Sequence, residues 1–188
     1  MKFGKKTIAA LAVAMTVAGT TGAPVNANGL TLTGAGSTFI KNLFDACIPQ
    51  YNDLSNDTVS YGGGGSGAGR TAIINGTTDY AATEGKFGSN DKPPADFTYV
   101  PLIAGPVAIA YKNSNLTGTL QLSPATIAKI FSGQITTWNH ADIVAENPSI
   151  TLPSNNIIVV YRADSSGTST VFTGYLNATA KDIWTKSA

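Results

Sequence analysis

Apolar residues recur at Ile40, Leu43, Phe44, Cys47 and Ile48, the i, i+3, i+4, i+7, i+8 spacing that lays them along one helix face. The run before them, Leu30-Thr31-Leu32-Thr33, alternates as a strand does, and Gly34-Ala35-Gly36-Ser37-Thr38 separates the two. Pro49 is expected to end the helix. Cys47, on its apolar face, is expected in the core. The same order of strand, glycine turn and helix recurs twice. Thr58-Val59-Ser60-Tyr61 leads through the glycine-rich stretch 62–69 into residues 70–74, stopped by Asn75-Gly76. The β-branched run over residues 157–161 predicts a buried strand. It is followed by Arg162-Ala163-Asp164-Ser165-Ser166-Gly167-Thr168, then by Val171, Phe172, Tyr175 and Leu176 at helical spacing.

Residues 79–83, 97–103 and 107–111 read as further strands of a mostly parallel sheet. Ser123-Pro124 supplies an N-cap and first helical position for a helix carrying Ile127, Ile130 and Phe131 and closed by Gly133. His140, beside Trp138 and Asn139, is expected in a surface loop. Strands alternating with helices predict an α/β fold. A first lobe over residues 28–104 would hand over near Ala104-Gly105-Pro106 to a second over residues 105–188.

The first 27 residues fall outside this pattern. Lys2, Lys5 and Lys6 precede an uncharged apolar run over residues 7–18, and Val25-Asn26-Ala27 offers a cleavage site. The run is shorter than the ~20 residues that cross a bilayer. It predicts a cleaved export signal and a soluble mature protein, periplasmic or secreted.

Composition narrows the chemistry. One cysteine and one histidine in 188 residues can form neither an intrachain disulfide nor the ligand set of a structural zinc site, so no metal and no cofactor are expected. Nine basic and eleven acidic residues follow position 27, a net charge of −2. Nucleic acid is not an expected partner. Any anion would have to be attracted locally, by oriented amides and a guanidinium.

The three glycine turns are the informative feature. The first amides of a helix lack internal partners and sit at the positive end of its dipole, so a turn ending in Ser or Thr can cradle an anion. Thr38, Ser66, Ser166 and Thr168 would offer hydroxyls, and Phe39, Gly167 and Thr168 backbone amides. Arg162 is the natural charged donor, and Asp164 is placed to hold its guanidinium. Glu84 is the odd member. A carboxylate repels an anion unless that anion keeps a proton to donate, which phosphate does at neutral pH and sulfate does not.

Leu32 to Phe39 (LTGAGSTF), the GGSGAG loop ending at Gly69, residues 77–84 (TTDYAATE), 129–139 (KIFSGQITTWN) and 159–176 (VVYRADSSGTSTVFTGYL) resemble the phosphate-binding proteins of high-affinity phosphate ABC transporters. The resemblance runs in order from about Leu30 to the last residue. It implies a two-lobed periplasmic-binding-protein type II-like fold that closes on dehydrated phosphate without altering it, as a monomer delivering to a membrane permease. By motif match it places the ligands on Thr38, Phe39 (backbone), Ser66, Glu84, Arg162, Ser166, Gly167 (backbone) and Thr168. The family usually has Asp where Glu84 stands; the longer side chain keeps the acceptor and shifts it by one C–C bond. Members normally continue well beyond position 188, so the chain is expected to be a fragment or a shortened variant.

Two other classes are weighed beside this one. Ser66 and Ser166 sit in strand-to-helix turns like those of nucleophilic serines, but Gly64-Gly65-Ser66-Gly67-Ala68 lacks the last glycine of G-x-S-x-G, and His140 is the only histidine available as base. A phosphoester hydrolase is therefore disfavoured, and no enzyme is expected. An exported surface or matrix adhesion role for the same fold predicts neither phosphate binding nor turnover.

Overall fold

The computed structural model describes residues 29–116 and 118–186. The export signal read over residues 1–27 lies outside them. The chain divides into two compact units, one running through Ala104 and adding Asp164–Gly167, the other made of Gly105–Ala163 and the stretch from Thr168 onward.

The first unit is built on a three-stranded parallel sheet in the order β2-β1-β3, with β1 at Thr31–Gly36, β2 at Thr58–Gly64 and β3 at Tyr80–Ala82. In β1, Thr31 and Thr33 are exposed while Leu32, Gly34 and Gly36 are buried, the period of two that a half-covered strand requires. A Cβ at Gly34 would overlap the Tyr80 ring. Tyr80 stacks on Tyr61 at 6.1 Å, and Phe44 meets Tyr61 edge-on at 4.7 Å. Each phenol hydroxyl is spent on the backbone, Tyr61 donating to the Ser37 carbonyl at 2.7 Å and Tyr80 to Ser60 at 2.8 Å. Burial and the charge of Asp79 push the Tyr80 phenol up to about 12. Burial, with the neighbouring Tyr80 and Glu84, pushes Tyr61 higher still.

Helix α1, Lys41–Leu54, packs against β2 and runs through Pro49 instead of stopping there. Pro49 removes the amide that would bond the Asp45 carbonyl, but both residues are exposed and water can take that carbonyl, so the helix continues. Cys47 is exposed, not in the core, and Leu43 is 41% exposed. Only the row of Ile40, Phe44 and Ile48 is covered, because α1 meets β2, the edge strand of a narrow sheet. The far end of α1 is tied down by polar contacts. Asn52 pairs with both backbone groups of Val59, and Asp57 accepts from the Leu30 amide at 2.8 Å and the Tyr51 hydroxyl at 2.7 Å. Helix α2, Ser66–Ile74, follows β2.

The second unit contains α3 (Pro124–Phe131), α4 (Ala141–Glu146) and most of α5 (Gly167–Thr179). Ser123 caps α3 by accepting from the Thr126 amide, and Gly133 follows it at φ +80°. Ala128, Leu176, Ala180 and Trp184 form one core cluster and Ile130, Ile135 and Ile143 another, with Phe131 packed against both. His140 is the N-cap of α4, its Nδ1 accepting from the Asp142 amide at 3.2 Å. Among the described residues no helix is long and apolar enough to cross a membrane.

The strands expected at 97–103, 107–111 and 157–161 are not formed. Ile157 and Val159 pack on the Ile130 cluster, while Ile158 and Val160 are each 84% exposed. The run has one covered side; just before it Asn156 forms an isolated antiparallel bridge with Thr137, and the Ile157 amide donates to the Thr136 carbonyl at 2.8 Å. A β-branched run states a preference for burial but cannot state whether partners are present on both sides. Phe97 instead packs edge-on against both Phe87 and Tyr99, and the Phe87 amide donates to the Tyr99 hydroxyl at 2.8 Å.

Candidate anion-binding site

The carboxyl ends of three parallel strands bring the first unit's polar groups together, the position where open α/β sheets place ligands. β1 ends at Gly36, whose φ of +131° only glycine adopts without strain, and a Cβ there would also meet the Ala82 carbonyl. The positive φ turns the chain so that Ser37, the next residue, points inward and is buried at 3% exposure. Its amide donates to the Ala82 carbonyl at 2.8 Å. After β2, the Gly65 amide donates to the Gly36 carbonyl at 2.9 Å, which sets the first turn of α2 beside the end of β1. Ser66, the first residue of α2, is 1% exposed.

Glu84, two residues beyond β3, receives both hydroxyls. Ser37 Oγ donates to Oε1 at 2.8 Å, and Ser66 Oγ makes a very short contact to Oε2. The Glu84 amide in turn donates to Ser66 Oγ at 3.4 Å. The residues flanking Glu84 are held by Arg70, which donates to Thr83 Oγ1 and to the Gly85 carbonyl, each at 3.3 Å. The segment Asp164–Gly167, counted with this unit, docks on the start of α2. There the Gly67 amide donates to the Ser165 carbonyl at 2.9 Å, so one amide of this helix N-terminus is spent on protein. Gly167 lies against the Ser66–Glu84 pair, where a Cβ would overlap both side chains.

Of the residues the sequence singles out, Ser66, Glu84 and Gly167 are in mutual contact, and Ser166 is buried beside Gly167. Thr38 is exposed, and the Phe39 side chain is 45% exposed while its amide donates to Ser37 Oγ at 3.0 Å. Asp164 is exposed and lies next to Gly65. Arg162, exposed, and Thr168, half-buried, belong to the second unit. Ser37 was not anticipated. Two hydroxyl residues adjoin in the GSTF turn, and only the φ of Gly36 decides which faces Glu84.

Chemically, the cluster pairs a carboxylate with two hydroxyls, of which that of Ser66 can turn from donating to it to donating to a ligand. Such a group of atoms has both an acceptor and a donor to offer an oxyanion that itself carries a proton.

The chain belongs to the PBP superfamily: the model of the PBP superfamily domain matches residues 19–188. Its fold is similar to that of an ABC-type phosphate transport receptor from Vibrio cholerae, with a TM-score of 0.50 at 21% identity over 78% of this chain and 55% of that one. A Clostridium perfringens protein solved with bound phosphate matches at a TM-score of 0.54 and 17% identity, over 84% of this chain and 60% of that one. These likenesses bear out the α/β, periplasmic-binding-protein type II-like fold. In sequence the chain is 36% identical over 152 residues to the phosphate-binding protein PstS of Haemophilus influenzae, covering 80% of this chain and 46% of the relative. It is 34% identical over 170 residues to phosphate-binding protein PstS 3 of Mycobacterium tuberculosis, covering 87% and 44%. The chain thus spans just under half the length of these relatives.

Proposed function

We propose that this protein is an exported solute-binding protein that captures inorganic phosphate for an ABC-type importer and releases it unchanged. The observation that carries the proposal is the Ser37–Glu84–Ser66 cluster at the carboxyl ends of parallel strands, closed by a glycine against which no side chain fits. In this reading Glu84 accepts the phosphate proton. Ser66, Thr38, Ser166 and Thr168 donate hydroxyls, the amides of Phe39 and Gly167 add backbone donors, and Arg162, oriented by Asp164, supplies the countercharge. The similarity to PstS proteins from two organisms supports the same ligand.

The relatives are solute-binding proteins and not enzymes, which fits a site that binds without turnover. Periplasmic location after signal cleavage, two lobes closing on the ligand, a monomeric state and a membrane permease as partner complete the proposal. Calorimetric titration of the chain with inorganic phosphate and with sulfate at neutral pH tests it. Saturable heat with phosphate and none with sulfate is expected. Absence of saturable phosphate binding refutes the assignment, and release of phosphate from a phosphoester would refute the non-enzymatic part.

A further inference from the structure

We infer that Ser37 is the residue that fixes the orientation of the Glu84 carboxylate and thereby sets discrimination for a protonated tetrahedral oxyanion. The inference rests on Glu84 being the proton acceptor of the proposed phosphate site, and adds a residue to it.

Ser37 is held at four points. Its amide donates to Ala82 of β3, its carbonyl accepts from the Tyr61 hydroxyl of β2 at 2.7 Å, its Oγ accepts from the Phe39 amide at 3.0 Å and the hydroxyl proton goes to Glu84 Oε1 at 2.8 Å. At 3% exposure Ser37 is withdrawn from water, and its hydroxyl is the donor to Oε1. A glutamate side chain has three torsions to restrain, and a hydroxyl that is itself immobile is an economical way to restrain the last. The two carboxylate oxygens are therefore unequal. Ser66 sits at the start of a helix and its hydroxyl can turn toward an anion, which leaves Oε2 to accept the anion's proton. Ser37 has less freedom, because its Oγ is held by the Phe39 amide at 3.0 Å, whereas the Glu84 amide reaches Ser66 Oγ only at 3.4 Å. Oε1 stays anchored and Oε2 does the recognising. The same Oγ sets the direction of the Phe39 amide, so one side chain aligns an acceptor with a proposed donor.

Ser37→Ala tests this in the full chain, with calorimetric titration of inorganic phosphate in the absence and presence of sulfate. Loss of a donor to a charged group predicts phosphate binding about tenfold weaker, with sulfate competing about tenfold better relative to phosphate. A merely structural lesion weakens both anions alike and leaves their ratio unchanged. Glu84→Asp withdraws the carboxylate from Ser37 by one C–C bond, so adding Ser37→Ala to Glu84→Asp should change the ratio less than about twofold. Sulfate that competes no better against Ser37→Ala than against the wild type overturns the inference. So does an equal effect of Ser37→Ala in both backgrounds. If Ser37→Ala binds no phosphate at all, Ser37→Thr decides: recovery of wild-type selectivity with the hydroxyl supports the role, and failure to recover overturns it. A wild-type chain that binds no phosphate overturns the underlying assignment and this inference with it, a result distinct from normal phosphate binding with unaltered selectivity in Ser37→Ala.

Discussion

Replacing Gly167 by Ala places a methyl group where the structure has none to spare. The added Cβ overlaps Glu84 Oε2 and Ser66 Oγ, and neither partner can retreat freely. Ser66 is 1% exposed at the start of α2, and Glu84 is tethered on its other oxygen by Ser37 at 2.8 Å. The segment carrying Gly167 is equally confined, since the Ser165 carbonyl holds the Gly67 amide at 2.9 Å and a Cβ at Gly67 would overlap the Ser165 side chain. Relief requires either displacing the segment 164–167 or breaking the Ser66–Glu84 bond. Overpacking of this kind costs about 1–3 kcal/mol, and a hydrogen bond to a charged group about 1.5–3 kcal/mol. A combined loss of about 3 kcal/mol lowers the melting temperature of a unit this size by roughly 10 °C or more. Gly174, inside α5, is the internal control, because nothing lies within 4 Å of a Cβ built there. Gly174→Ala should be neutral or stabilising by up to about 1 kcal/mol through helix propensity. Thermal denaturation followed by circular dichroism compares the two. A Gly167→Ala protein that melts with the wild type would show that 164–167 does not dock on the Ser66–Glu84 pair.

Two further outcomes are expected from the titrating groups. Burial alone would raise the Glu146 carboxyl, but the side-chain and backbone hydrogen bonds from Ser123 and the bond from Thr126 outweigh it and bring it below the ordinary 4.5. A lowered pKa in the folded state means stability that is present above 4.5 and is lost as pH falls through the folded value. Glu146→Gln should therefore destabilise at neutral pH, by about 2 kcal/mol, and remove part of the acid-induced loss; an acid-unfolding curve identical to wild type would contradict this. For Tyr80, raised to about 12 by burial first and Asp79 second, the stability is full below the ordinary 10.0 and disappears as pH rises through the folded value. Phenolate absorbance should show Tyr61 and Tyr80 ionising last, together with unfolding, and Tyr80→Phe should remove one late step; ionisation of all tyrosines near their ordinary value would refute the burial of these rings.

The parallel sheet of the first unit was legible because three segments carry strand, glycine turn and helix in order, and two of them supply adjacent strands. Periodicity could locate α1 but not its covered row, since i, i+3 and i+4 spacing marks a broad stripe while a narrow sheet covers only Ile40, Phe44 and Ile48. Cys47 lies on the uncovered part of that stripe and is exposed. Residues 157–161 do not form the expected strand because side-chain type reports what a strand prefers to touch, and the side chains of Ile158 and Val160 are exposed. At the site, Ser66, Glu84 and Gly167 stand out in the sequence through glycine turns and an acid after a strand. Ser37 does not, because its inward direction is set by the φ of Gly36, a backbone angle that the letter G permits but does not specify.

The most direct test of the account compares sulfate with phosphate in wild type and Glu84→Gln. Replacing the carboxylate by an amide removes the negative charge and turns one of its two acceptor oxygens into an N–H donor while keeping the side-chain length. Tight phosphate binding by the wild type with sulfate excluded is expected, with the phosphate-over-sulfate preference of Glu84→Gln reduced by about tenfold or more. An unchanged preference would contradict it, since selectivity would then arise from something other than a carboxylate waiting for the anion's proton.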